Sequence, residues 1–160
     1  AGVVGVRMTR VLFVCLGNIC RSPSAQGVFE ARLAERGLQS AFEVDSAGTG
    51  GYHAGEPPDR RAQAAARRRG YDISGQRARA VRDGDFHQFD LILAMDRSNL
   101  SNLLQRAPAN CRAKVRLFMS GVRGWPEEVP DPYFGGDQGF EQVLDMLDAA
   151  SDALLAEQGY

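Results

Sequence analysis

Apolar residues follow two alternating rhythms along the chain. Short unbroken apolar runs give way to stretches in which apolar positions recur every three or four residues. Residues 11–15, V-L-F-V-C, are nearly all apolar, as in a strand buried on both faces. Ala25, Val28, Phe29 and Leu33 then recur at helical spacing over 23–36, and Gly37 stands where such a helix would stop. A-F-E-V-D, residues 41–45, predicts a short second strand. The alanine- and arginine-rich stretch from Asp59 to Arg69 predicts a helix ended by Gly70. F-D-L-I-L-A-M, residues 89–95, predicts a third strand, and Asp96 caps a predicted helix reaching Arg106, before Pro108. A-K-V-R-L-F-M, residues 113–119, predicts a fourth strand. Phe140, Val143, Leu144, Leu147, Leu154 and Leu155 give a last helix, 138–157, its apolar face.

Strand then helix, four times over, predicts the α/β class: one domain with a parallel sheet and helices on both faces, a Rossmann-like three-layer sandwich. Right-handed crossovers limit its topology. Such sheets bind ligands beyond the carboxyl ends of their strands, where the strand order switches. The glycine- and proline-rich segments 46–58 and 120–137 then form loops on that rim or on the opposite one. With 160 residues, one sizeable core can bury about 70% of the unfolded chain's surface. Residues 10–157 form the expected domain. Residues 1–9 read as an N-terminal extension, with Met8 a candidate initiator, and 158–160 as a short tail.

Charge changes this picture little. The net charge is −1 at pH 7, which gives no general attraction to nucleic acid or to a membrane. Arg67-Arg68-Arg69 reads as a solvated helix face. Three cysteines, Cys15, Cys20 and Cys111, make no disulfide framework and point to a reducing compartment, the cytoplasm. No run approaches the roughly 18 apolar residues of a membrane span. The first ten residues lack the features of a signal peptide.

The candidate chemistry lies where the first strand meets the first helix, in C-L-G-N-I-C-R-S-P. Cys15 ends the strand. Ser22 is the expected N-cap and Pro23 the expected first helical residue. Gly17 and Asn18 tolerate backbone angles that other residues resist. The loop Leu16, Gly17, Asn18, Ile19, Cys20 and Arg21 can thus turn its amides inward as an anion nest at a helix N-terminus. Arg21 adds a planar fork suited to phosphate oxygens. The same field favours a thiolate at Cys15, poised for in-line attack on phosphorus and a phosphocysteine intermediate. Ser22, beside Arg21, is placed to donate to the sulfur and improve it as a leaving group. A Walker A loop needs a lysine and a dinucleotide fingerprint needs three glycines; neither is present.

A departing phenolate or alkoxide needs a proton. V-P-D-P-Y-F-G-G, residues 129–136, offers Asp131 between two prolines that restrain it. Asp131 is the expected general acid and then general base. Tyr133 and Phe134, with Tyr52 opposite, are candidate walls of a slot for an aromatic ring. His53 and His87 are isolated and read as ordinary polar residues. No metal or other cofactor is needed.

C-L-G-N-I-C-R-S-P, together with S-A-G-T-G-G-Y-H-A-G, A-M-D-R-S-N-L and D-P-Y-F, resembles the low-molecular-weight protein tyrosine phosphatases over residues 10–157. The resemblance implies a four-stranded parallel sheet in the order 2-1-3-4. It implies Cys15 as nucleophile, Arg21 as phosphate clamp and Asp131 as general acid and base. It implies that Asn18 holds the loop through a hydrogen bond to Ser46, that Ser22 supports the thiolate, and that Leu16, Ile19, Tyr52, Tyr133 and Phe134 line the entrance. Implied partners are phosphotyrosine-containing proteins and small aryl phosphates, with phosphate or vanadate as inhibitors. Two departures stand out. A histidine that often braces the asparagine in the family is missing near Gly75. Phe134 stands where animal members have a second tyrosine, which argues against regulation through a phosphorylated tyrosine pair. Cys20 has two open roles: a disulfide partner that protects Cys15 from over-oxidation, or a small packing residue.

Three rivals share parts of this pattern. Arsenate reduction on the same fold needs relay cysteines, and none lies between Tyr71 and Gln88; Cys111 reads as packing at the start of a strand. Protein-arginine phosphatases carry a threonine where this chain has Ile19. A non-catalytic phosphotyrosine-binding module would have lost Cys15 or Asp131.

Overall fold

The computed structural model describes residues 8–133 and 135–160. The N-terminal extension up to residue 7, and Phe134, lie outside the described residues. The elements follow in the order β1 (Thr9–Cys15), α1 (Arg21–Arg36), β2 (Phe42–Gly48), α2 (Arg60–Arg68), α3 (Asp85–Gln88), β3 (Leu91–Ala94), α4 (Arg97–Arg106), a 3-10 turn (Ala109–Lys114), β4 (Val115–Leu117) and α5 (Asp137–Glu157). The four strands form one parallel sheet in the order β2-β1-β3-β4. The sequence pattern misses α3 and the 3-10 turn, which are too short to show a period.

Alternation along β1 assigns its side chains to two cores. Val11, Phe13 and Cys15 face α1, α2 and α5, while Leu12 and Val14 face α3 and α4. On the first face Phe13 meets Phe29 and Phe118 edge-on, with ring centroids 5.8 and 4.9 Å away. Phe29 in turn meets Phe42 at 5.3 Å. Such pairs contribute about 0.5–1.5 kcal/mol each beyond the area they bury. Helix α1 stops at Gly37, whose φ of 68° lets its N–H reach the Ala34 carbonyl and the Leu38 N–H reach that of Leu33.

The arginine run is not simply a solvated face. Arg68 pairs with Glu141, and Arg69 with Glu141, Asp145 and Asp148, so the end of α2 is bolted to α5. Arg32 of α1 reaches Asp148 and Asp152 of the same helix. Cys111 sits in the 3-10 turn ahead of β4, not at the strand's start. It is buried in the core on the face away from Cys15, with its sulfur 3.8 Å from Nδ1 of His87. Among the described residues, no helix is long and apolar enough to cross a membrane.

Candidate active site

Cys15 ends the strand at which the sheet order switches, with β2 on one side and β3 on the other. Both glycine- and proline-rich segments bring residues to this rim. The segment after β2 approaches very closely: a Cβ on Gly48 would stand 2.7 Å from the Leu16 carbonyl oxygen and 2.9 Å from that of Gly50. Only glycine lets β2 end against the cysteine loop.

Two polar groups touch the sulfur. The Asn18 N–H donates to Sγ at 3.3 Å, and the Ser22 hydroxyl lies 3.0 Å away. Asn18 has a φ of 57°, the one left-handed non-glycine residue among those described. Its side chain anchors that strained turn. Nδ2 donates to Ser22 Oγ at 2.7 Å and to Ser46 Oγ at 3.0 Å, while Oδ1 accepts the Arg79 N–H at 3.0 Å. The Ser46 hydroxyl then donates to Gln76 Oε1 at 3.4 Å, and Gln76 Nε2 donates to the Pro23 carbonyl at 3.0 Å. Gln76, next to Gly75, therefore provides an outer brace where no histidine is available.

Ser22 is not the N-cap. Helix α1 begins at Arg21 with Cys20 in the cap position and Pro23 two residues inside. The Ser22 hydroxyl serves Sγ and Asn18 instead of the helix end. No side chain caps α1 and its first turn holds no acidic residue. Its positive end is thus left for an anion.

Arg21 is 3% exposed. Its Nη1 donates to Asp96 Oδ2 at 2.6 Å and to the Val129 carbonyl at 3.1 Å, and its Nη2 lies 3.7 Å from Asp131 Oδ2. Burial pulls the guanidinium pKa down, but its interactions with the Cys15 sulfur and with the Asp96 and Asp131 carboxylates outweigh that and hold the pKa above the ordinary arginine value. Cys20 is also buried. Burial, helped by the neighbouring Asp59, Cys15 and Asp131, pushes its thiol far above the ordinary cysteine range, so it is a neutral thiol at pH 7. All three cysteines are free. Asp131 is partly exposed between Pro130 and Pro132, and its carboxylate accepts the Tyr133 N–H at 3.0 Å.

These groups surround a cleft of about 190 Å³ lined by Cys15, Leu16, Gly17, Ile19, Cys20, Arg21, Tyr52, His53, Asp131 and Tyr133. Leu16, Tyr52 and Tyr133 are exposed and form an apolar mouth over a polar floor. His53 belongs to the wall, which its reading as an ordinary polar residue missed. Its ring packs against Gly17, where a Cβ would come within 3.0 Å, and its Nδ1 lies 2.7 Å from a Glu56 carboxylate oxygen. A carboxylate only accepts, so this nitrogen carries the hydrogen. The one signal in the sequence was its position next to Tyr52. Asp96 was legible as a helix cap, but its hold on Arg21 was not. Among the described residues, no group of three or more potential metal ligands comes together.

Fold and site together define a parallel α/β protein with a cysteine-headed loop at an uncapped helix N-terminus, opening into a cleft. Comparison with known proteins narrows this. The family model described as low molecular weight phosphotyrosine protein phosphatase matches residues 10–159. A low molecular weight protein-tyrosine-phosphatase of Streptomyces coelicolor is 48% identical over 151 residues, covering 92% of each chain. The human low molecular weight phosphotyrosine protein phosphatase is 44% identical over 135 residues, 83% of this chain and 85% of the human one. The crystal structure of a protein tyrosine phosphatase from Entamoeba histolytica, with Hepes in the active site, superposes with a TM-score of 0.92 at 39% identity, covering 94% of this chain and 97% of that one. The chain belongs to the low molecular weight phosphotyrosine protein phosphatase family.

Proposed function

We propose that the chain hydrolyses aryl phosphate monoesters, phosphotyrosine in proteins above all, in two steps through phosphocysteine. The Cys15 thiolate attacks phosphorus, the ester bond breaks, and the phenolate takes its proton from the Asp131 carboxyl. Water then attacks phosphorus and gives a proton to the Asp131 carboxylate. The sulfur–phosphorus bond breaks, and the thiolate returns with inorganic phosphate as product. Arg21 and the positive end of α1 hold the phosphoryl oxygens throughout. The Ser22 hydroxyl, 3.0 Å from Sγ, steadies the sulfur as it leaves. Leu16, Ile19, Tyr52 and Tyr133 receive the ring.

The observation that carries this reading is the Cys15 sulfur on the cleft floor, touched by the Asn18 N–H and the Ser22 hydroxyl, with the buried Arg21 cation and the Asp131 carboxylate lining the same space. The Hepes reported in the active site of the Entamoeba relative carries a sulfonate, which has the tetrahedral shape of a phosphoryl group. No metal takes part, phosphate and vanadate compete for the loop, and free thiols at this site suit the cytoplasm. The test is hydrolysis of matched phosphotyrosine and phosphoserine peptides in the presence of EDTA. Phosphotyrosine should be cleaved, and vanadate should stop the reaction. Turnover that needs an added divalent metal, or that prefers phosphoserine, would overturn the reading.

A further inference from the structure

Arg61 does not line the cleft, yet it spends nearly all its donors beside it. Nη2 donates to the Tyr133 carbonyl at 2.7 Å and Nη1 to the Gly135 carbonyl at 3.0 Å. Nε and Nη2 donate to the two oxygens of Asp59, each at 3.2 Å. The guanidinium also lies over the rings of Tyr133 and Phe140, 5.8 and 4.9 Å from their centroids. Asp59 is fixed in turn. It caps α2 by accepting the Arg61 N–H at 2.8 Å, and its own N–H donates to the Ile19 carbonyl in the cysteine loop at 2.8 Å.

A continuous line of bonds therefore runs from the loop that holds the sulfur to the segment that holds Asp131. The two carbonyls that Arg61 grips lie just beyond Asp131, between the end of β4 and the start of α5. The grip uses the planar fork of the guanidinium, which a lysine cannot reproduce. We propose that Arg61 is the positioning residue of the acid loop: through Asp59 it sets the distance between the Asp131 carboxyl and the Cys15 sulfur. Arg61 touches neither substrate nor sulfur and acts only by holding the Tyr133 and Gly135 carbonyls. This rests on the reading of Asp131 as proton donor.

The consequence is selective. An ester with a good leaving group needs little help from an acid, whereas one with a poor leaving group depends on it. Arg61→Ala should leave kcat/KM for para-nitrophenyl phosphate within about threefold of wild type and lower kcat/KM for phenyl phosphate by about tenfold or more. The inhibition constant of inorganic phosphate should stay within about twofold. Arg61→Lys should recover only part of the loss. In an Asp131→Asn background, Arg61→Ala should add nothing to the leaving-group dependence, because the group it positions is gone. Should Arg61→Ala fold poorly, Arg61→Gln and Arg61→Lys report the same dependence. An equal fall for both esters, no fall for either, or a phosphate constant that weakens in step would overturn the role of Arg61. If Asp131→Asn itself showed no leaving-group dependence, the acid assignment would fail instead, so the two failures are distinguishable.

Discussion

Arg21 and Asp96 lie 75 positions apart in the chain and 2.6 Å apart in the fold. Asp96 divides its carboxylate between two tasks: Oδ1 accepts the Asn99 N–H and caps α4, while Oδ2 accepts Nη1 of Arg21. The guanidinium proposed to clamp the phosphate is thus aimed by the start of a helix on the other side of the sheet. Asp96→Asn keeps a capping oxygen and removes the charge. It should weaken phosphate binding by about tenfold or more, the worth of one charge-assisted hydrogen bond of about 1.5–3 kcal/mol, with little change in Tm. Asp96→Ala should weaken binding similarly and also cost about 1 kcal/mol of stability through the lost cap. Phosphate inhibition constants and thermal melts check both.

Asn18 separates backbone strain from side-chain anchoring. Asn18→Gly removes the side-chain bonds to Ser22, Ser46 and the Arg79 amide but tolerates a φ of 57°. Asn18→Ala removes the same bonds and resists the angle as well. Both should lose activity, and alanine should be the less stable by about 1 kcal/mol. Equal melting temperatures would show that the left-handed turn carries no strain.

Asp131→Asn should slow phenyl phosphate hydrolysis by about 10² to 10⁴-fold, the range of a general acid's contribution, and para-nitrophenyl phosphate by much less. The slope of log kcat/KM against leaving-group pKa reads this directly, because kcat/KM covers only the steps up to departure of the leaving group. An unchanged slope would remove Asp131 from the proton-transfer step.

Acid should loosen the helix junctions first. Burial pushes Asp59 up and hydrogen bonds from Arg61 more than offset it, so the carboxylate titrates below its ordinary range. Glu141 behaves in the same way: burial raises it, and Arg69 and Arg68 bring it down further. A carboxylate depressed in the folded state binds its proton more weakly there than in the unfolded chain. The stability it lends is present above the unfolded value and is lost as pH falls through the folded one. Tm should therefore hold from neutral pH to about 5 and drop below about 4. Glu141→Gln should lower Tm at pH 7 and flatten that drop.

The sheet was readable because each strand is a compact apolar run, and the helices because their apolar positions keep a regular spacing. The strand ends were less readable. Residues 89–95 and 113–119 look like long strands, yet only Leu91–Ala94 and Val115–Leu117 pair. Phe89, Met95, Phe118 and Met119 are apolar because they are buried where the chain enters or leaves the sheet, with Met95 and Phe118 each still donating one backbone N–H to the neighbouring strand, at the Val14 and Ala94 carbonyls. Within the site, Cys15, Arg21 and Ser22 are adjacent in sequence, so their local pattern was visible. Ser22 was misplaced as a cap because its hydroxyl serves the sulfur. The contributions of Asp96, Arg79, Gln76, His53 and Arg61 arise from contacts between distant segments, and no local pattern announces them.

The central claim is that Cys15 carries the phosphoryl group during turnover. para-Nitrophenyl phosphate, whose leaving group needs little help from an acid, mixed with the Asp131→Asn enzyme, quenched within milliseconds into alkaline denaturant and digested, should yield the Cys15 peptide heavier by one phosphoryl group, and Cys15→Ser should give neither this adduct nor turnover while still binding vanadate. Full hydrolysis by Cys15→Ser, or a phosphoryl group found on any other residue, would contradict the account.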